Sequence, residues 1–172
     1  MQQINLTSPN GTIFSEDRKY RYALWRIWSY NPKIMMQIGL NPSKADEFRS
    51  DPTITRGINR ARYEGYGGFF MANLFAFVST DPKMLLSEQN TVGALNDYYL
   101  QKMIELSQIQ ICAWGSFKPV SLRSPIVLSM IKEPFCLGIN MDGNPKHPLY
   151  VSYNMPIIKY LPIKETNKWT TK

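Results

Sequence analysis

Cysteine and histidine are scarce in this chain, at two and one among 172 residues. That excludes an iron–sulfur cluster held by four cysteines and any zinc site rich in both residue types. Long apolar runs are also missing, since none approaches the roughly 20 residues that span a bilayer. The stretch from Met1 to Gly11 is polar and has no hydrophobic signal core, so secretion is not expected and the cytoplasm is the expected location. No internal repeat, low-complexity segment or G-x-S-x-G elbow occurs. Acidic residues are the minority, 13 against 20 Lys and Arg, giving a net charge of +7.

What is present suffices for one packed core: 44% of residues are hydrophobic and 13% aromatic. The length suits a single α/β domain over residues 1–160, followed by a basic tail over 161–172 that reads as a solvated end. The positive balance fits a nucleotide or nucleic-acid partner, although proteins that bind neither also carry such a charge. No membrane partner is expected, and the oligomeric state is not legible. Ten of the 20 basic residues fall between Arg18 and Arg62.

The run RKYRYALWRIW (Arg18 to Trp28) suits a strand packed at the side of the core. KIMMQIGL (Lys33 to Leu40) reads as a first buried strand, closed by Asn41-Pro42. Asp51-Pro52 supplies an N-cap and a favoured first helical residue, so a helix starts there. Ile54, Ile58 and Ala61 form its apolar stripe, with Arg56 and Arg60 four apart on another face. Glycines at 65, 67 and 68 stop it. FFMANLFAFV (Phe69 to Val78) is the second buried strand, and Asp81-Pro82 marks a turn or helix start. Leu95, Tyr99, Met103 and Leu106 predict a helix over about 93–107. IQICAW (Ile109 to Trp114) is the third strand. Leu122, Ile126 and Met130 predict a third helix, and FCLGI (Phe135 to Ile139) is the fourth strand. From Val151 onward, Pro156 and Pro162 predict an irregular closing segment.

This alternation predicts a three-layer α/β sandwich. Its core is a four-stranded parallel sheet in the order second, first, third, fourth. Ligands in such sheets bind beyond the carboxyl ends of the strands. Those ends carry Asn41-Pro42-Ser43, Asn73, Trp114-Gly115-Ser116 and the segment Asp142 to His147.

Each candidate residue has two readings. Asn41 orients a water or reads a base edge, or it simply shapes the Asn-Pro turn. Asn73, an amide in an apolar strand, either ties backbone groups or faces a ligand, because an unpaired buried amide costs a few kcal/mol. His147, the lone histidine, either donates to a developing anion or sits in a surface turn. Ser43 and Ser116 are possible nucleophiles that lack an elbow motif. Arg56 and Arg60 suit phosphates or form a solvated basic face. Asp46, Glu47 and Asp51 suit Mg²⁺, or are loop carboxylates and a cap. Cys112 and Cys136 read as buried free thiols.

Taken together, IGLNPSKADE, DPTITR, GYGGFFMANLFAF, AWGSF and CLGINMDGNPKHPLY resemble an uncharacterised bacterial and phage family, domain-of-unknown-function family 1643. The resemblance covers about Arg18 to Tyr160 and supplies no activity. The strand-end motifs are more distantly similar to those of the uracil-DNA glycosylase superfamily. Gly39-Leu40-Asn41-Pro42 matches the Asn-Pro form of its first motif, and Asn73 lies where several branches keep a base-reading asparagine. Trp114-Gly115 and His147-Pro148 match the third-strand and last motifs. The resemblance implies that Asn73 bonds a base edge, Asn41 positions water at the sugar carbon, and His147 stabilises the departing base. One of Phe75, Phe77 or Trp114 then stacks on the base. Leu149-Tyr150 stands where glycosylases carry a serine after His-Pro, and the segment from Lys44 to Arg62 matches no glycosylase element.

The expected function is therefore recognition of a nucleobase, nucleotide or nucleic acid, with N-glycosidic hydrolysis as the chemistry and no cofactor or metal. The alternatives are a non-catalytic binder or sequestering protein for a nucleotide or nucleotide-derived signal, and a Mg²⁺-dependent phosphate-transferring or hydrolytic enzyme.

Overall fold

A computed structural model describes residues 1–161. Of the basic tail expected over 161–172, residues 162–172, with Lys164, Lys168 and Lys172, lie outside the described residues. Seven strands form one sheet: β1 (Asn10–Phe14), β2 (Arg21–Ile27), β3 (Ile34–Gly39), β4 (Gly68–Asn73), β5 (Ile109–Cys112), β6 (Pro134–Cys136) and β7 (Ile158–Lys159). Three α-helices accompany them: α1 (Pro52–Tyr63), α2 (Asn96–Leu106) and α3 (Val120–Ser129). Short 3-10 turns span Pro82–Leu86 and Pro148–Tyr150.

The spatial order is β1-β2-β4-β3-β5-β6-β7. The centre, β4-β3-β5-β6, is parallel, and β1, β2 and β7 add antiparallel strands at its two sides. Side-chain alternation along the central strands separates two cores. Ile34, Met36, Ile38, Phe70 and Ala72 pack with Leu100 and Met103 of α2 and Val127 of α3. Met35, Phe69 and Met71 pack with Ile54 and Ala61 of α1. The helices thus cover both faces of the sheet.

The aromatic run Arg18 to Trp28 supplies β2, a strand at the side of the parallel centre as expected, hydrogen-bonded between β1 and β4, with Ala23 and Trp25 in one core and Leu24 in the other. Other expectations are corrected. β4 ends at Asn73 rather than Val78. There the chain turns so that the Leu74 and Phe75 amides donate to the carbonyls of Gly39 and Leu40, at 2.9 and 3.0 Å. The α3 stripe is rotated from Leu122 and Ile126, which are exposed, to Val120, Arg123 and Val127. Arg123 takes the inward position because its Nε donates to the Leu74 carbonyl at 2.9 Å and its guanidinium pairs with Asp97. The closing segment contains β7, which includes Lys159 and pairs with β6.

Asp51 caps α1 as its sequence predicts, accepting the Ile54 N–H at 2.9 Å, with Pro52 next. Gly65, at φ +79°, follows the end of the helix. Cys112 and Cys136 are free thiols facing each other in register across β5 and β6. Burial pushes both thiols up, which suits packing rather than attack. Among the described residues no helix is long and apolar enough to cross a membrane.

Candidate functional site

A pocket of about 260 Å³ opens where β3 and β5 end. Its lining includes Gly39, Leu40, Asn41 and Ser43 after β3, and Asp51, Thr53 and Ile54 at the start of α1. Ser79, Thr80 and Pro82, Trp114 after β5, His147, and Arg21 and Met71 from neighbouring strands complete it.

The loop after β3 is held by backbone pairing to the chain leaving β4. Asn41 contributes directly: its Nδ2 donates to the Ser79 carbonyl at 2.9 Å and to the Pro42 carbonyl at 3.2 Å, and Ser79 N–H returns a bond to Pro42. The turn-shaping reading of Asn41 is therefore realised, and its Oδ1 is the part that remains for a ligand. Asn96 Nδ2 donates to the Asn73 and Leu74 carbonyls, clamping the β4 exit.

Two arginines of β2 pin the following loop. Arg21 Nη1 donates to the Ala45 carbonyl at 2.7 Å, and Arg26 Nη2 donates to the Asp46 carbonyl. Arg21 is 2% exposed. Burial lowers its pKa to about 10, against an opposing pull from Asp51, so it is still a cation at neutral pH.

His147 caps the turn Pro148–Tyr150, its Nδ1 accepting the Leu149 N–H at 3.4 Å. A ring that accepts at Nδ1 carries its proton on Nε2, leaving that N–H as a donor. Burial moves the His147 pKa below its ordinary value, with Asp51 pulling the other way. Gly115, at φ +73°, lies beside it; a Cβ there would stand 3.6 Å from His147 Cβ.

The sequence-predicted residues divide. Asn41, Ser43, Trp114 and His147 line this one pocket. Asn73 does not line it. It is 2% exposed, its Oδ1 has no partner among the described residues, and that oxygen lies 2.9 Å from where a Cβ of Gly39 would be. Phe75 is a core side chain and Phe77 packs against the same core. Arg56 and Arg60 are absent from the lining. Arg56 lies over the Tyr153 ring, 3.8 Å from its centroid, and donates to the Val151 carbonyl. Arg60 is 3% exposed and bonds the carbonyls of Ser152, Tyr153 and Met155, so the solvated-face reading fails for it. Asp46, Glu47 and Asp51 do not gather. They serve respectively the Phe48 and Arg49 amides, the Thr12 hydroxyl and the α1 cap, and no group of three His, Cys, Asp or Glu suited to a metal occurs among the described residues.

Arg21, Thr53, Ser79 and Thr80 are polar lining residues that sequence reasoning missed. For Arg21 the signal was a charge inside a run otherwise apolar enough to be buried.

A prediction follows for pH. Between the folded and unfolded pKa of His147 the unfolded chain binds the extra proton, so its contribution to stability is present above about 6.5 and is lost as pH falls through the lower folded value. Unfolding midpoints measured between pH 7 and pH 5 should fall with pH, and His147→Gln should flatten that slope.

Residues 21–149 match the family described as protein of unknown function (DUF1643). The chain belongs to that family. No curated protein and no solved structure matches it.

Proposed function

We propose that this chain recognises a nucleobase or nucleotide in the strand-end pocket and hydrolyses an N-glycosidic bond there. The observation that carries the reading is the meeting of Asn41, Ser43, Trp114 and His147, from three distant stretches of chain, in one cavity at the carboxyl ends of parallel strands. The order of these motifs supports a distant kinship with the uracil-DNA glycosylase superfamily. A cavity of about 260 Å³ is near the lower end of small-molecule sites, about 300–1,000 Å³, and suits one base with the rest of the ligand at the mouth.

In this reading Asn41 Oδ1 orients the attacking water, since its amide hydrogens are already engaged. As water oxygen bonds the sugar carbon and the C–N bond breaks, the electron pair of that bond passes to the base, the His147 Nε2–H meets the charge that develops there, and the proton the water loses ends on the released base. Trp114 is the aromatic side chain of the lining. Asn73, buried behind Gly39 and outside the lining, takes no part in this reading.

One observation favours a non-catalytic binder in the same pocket. The single carboxylate of the lining, Asp51, is already the α1 cap, and an amide does not accept a proton from water as a carboxylate does. The test is to incubate the protein with a panel of nucleosides, nucleotides and base-modified DNA, following released base by chromatography and binding by calorimetry. Base release is the expected result. Tight binding of unaltered ligand gives the binder, and neither outcome with any member of the panel removes the nucleobase reading.

A further inference from the structure

The polar side-chain atoms around this cavity divide by access. Arg21 Nε and Trp114 Nε1 are donors without a partner among the described residues, but both are sealed, so nothing in the cavity reaches them. Four oxygens differ: Asn41 Oδ1, Ser43 Oγ, Asp51 Oδ2 and Thr53 Oγ1. They belong to partly buried lining residues, have no hydrogen-bond partner among the described residues, and are not among the sealed atoms, so each keeps open surface. Asn41 spends only its Nδ2, on the Ser79 and Pro42 carbonyls. Asp51 spends only Oδ1, on the α1 cap. The Ser79 hydroxyl, by contrast, is already engaged with the Asp81 backbone.

The open groups accept more than they donate. Asn41 Oδ1 and Asp51 Oδ2 only accept, and the two hydroxyls do either. Arg21, the cation of the lining, gives Nη1 to the Ala45 carbonyl and has the Asp51 charge opposite it. Asp51 also acts through space on His147, so the carboxylate and the imidazole lie about the same space. The four oxygens come as two pairs, one on the loop after β3 and one at the start of α1. A base edge offers N–H donors that cannot accept in return. A sugar diol offers adjacent hydroxyls that donate to a carboxylate while accepting from serine and threonine, which is the mixture this lining asks for.

We propose that the α1 end of the pocket is a ribose subsite, in which Asp51 Oδ2 accepts from the 2′- and 3′-hydroxyls and the Ser43 and Thr53 hydroxyls complete the pairing. The proposal rests on the nucleobase reading above and names its substrate class: ribonucleosides and ribonucleotides rather than DNA. A carboxylate on a ribose hydroxyl is a recurrent pairing at the strand ends of α/β sheets. A site that hydrogen-bonds a ligand hydroxyl rejects the analogue lacking it, because its own polar groups are then left unpaired.

The experiment is a calorimetric series on the full chain with ribo-, 2′-deoxy- and 2′,3′-dideoxynucleosides of one base, the free base, and methyl riboside. The ribonucleoside should bind at least about tenfold tighter than its 2′-deoxy counterpart, equal to about 1.4 kcal/mol. Asp51→Asn keeps the cap, since asparagine caps a helix as well as aspartate, but puts an amide donor where the free oxygen accepted. Its unfolding midpoint should stay near that of the wild type, and its ribo-to-deoxy ratio should shrink to within about twofold. Thr53→Val and Ser43→Ala each remove one hydroxyl and should lower the ratio by about threefold; they carry the test if Asp51→Asn proves unfolded. Equal binding of the ribo and deoxy forms, or a preference for the deoxy form, overturns the subsite and leaves the nucleobase reading standing. A ribo preference that survives these substitutions also overturns it, because other groups then read the sugar. Methyl riboside binding as tightly as the ribonucleoside, with the Asp51→Asn effect intact, upholds the subsite and removes the nucleobase reading. No binding by any member removes both.

Discussion

Replacing His147 with alanine is expected to lower base release by about 10²–10³-fold, while ligand affinity stays within about tenfold. The reason is the position of one proton. Nδ1 is occupied by the Leu149 N–H, so the imidazole carries its hydrogen on Nε2. Burial keeps the ring neutral, and a neutral donor gains most when charge appears opposite it. In the ground state the departing base bears little charge, so the same contact adds little to affinity. Loss of the ring also removes the acceptor that caps the turn Pro148–Tyr150, at a cost of about 0.5–2 kcal/mol in stability. The rates therefore need to be read below the unfolding midpoint of the variant. Burst and steady-state measurements of released base, beside calorimetric affinities, check the split. Full turnover by the variant would remove His147 from the chemistry whatever the fate of the reaction class.

The parts of this site legible in the sequence are those set by local chemistry. Asp51-Pro52 announces α1 because a cap and a fixed φ need only neighbouring residues. Asn41, Ser43, Trp114 and His147 fall together because alternating strands and helices bring strand ends to one edge of a sheet. What escaped depends on contacts between distant segments. NGTIF forms β1 only because it has β2 to pair with, and five residues with a polar start carry little signal of their own. Arg21 has no local signal for its role, which depends on the loop containing Ala45 folding over it. Phe75 and Phe77 enter as stacking candidates only through the glycosylase resemblance; the turn after Asn73 sends them into and against the core. Leu122 and Ile126 read as buried because apolar residues at helical spacing normally are, whereas here Arg123 has partners that hold the inward position.

Arg60 carries the second large effect, and it is structural. The guanidinium sits under the segment that follows His147, donating from Nη1 to the carbonyls of Tyr153 and Met155 at 2.8 and 2.9 Å, and from Nη2 to Ser152 at 3.0 Å. Glu64, one turn further along α1, takes another Nη1 bond at 2.9 Å. Hydrogen bonds to charged groups contribute about 1.5–3 kcal/mol each when measured singly, and those sharing one guanidinium do not add. Arg60→Ala should therefore destabilise the chain by about 3–5 kcal/mol, the range seen when one partner of a buried charged network is removed. Arg60→Lys should recover less than half of that, because a single ammonium does not span three carbonyls set around a planar fork. Urea unfolding of the three proteins measures this directly. The salt dependence of nucleotide affinity separates this role from phosphate binding: the slope of log K against log salt is expected to be the same for Arg60→Lys and wild type, since Arg60 meets no phosphate. A shallower slope would return Arg60 to the ligand, and a loss of stability below about 1 kcal/mol would mean that the segment from Ser152 to Met155 is held by the Arg56–Tyr153 contact instead.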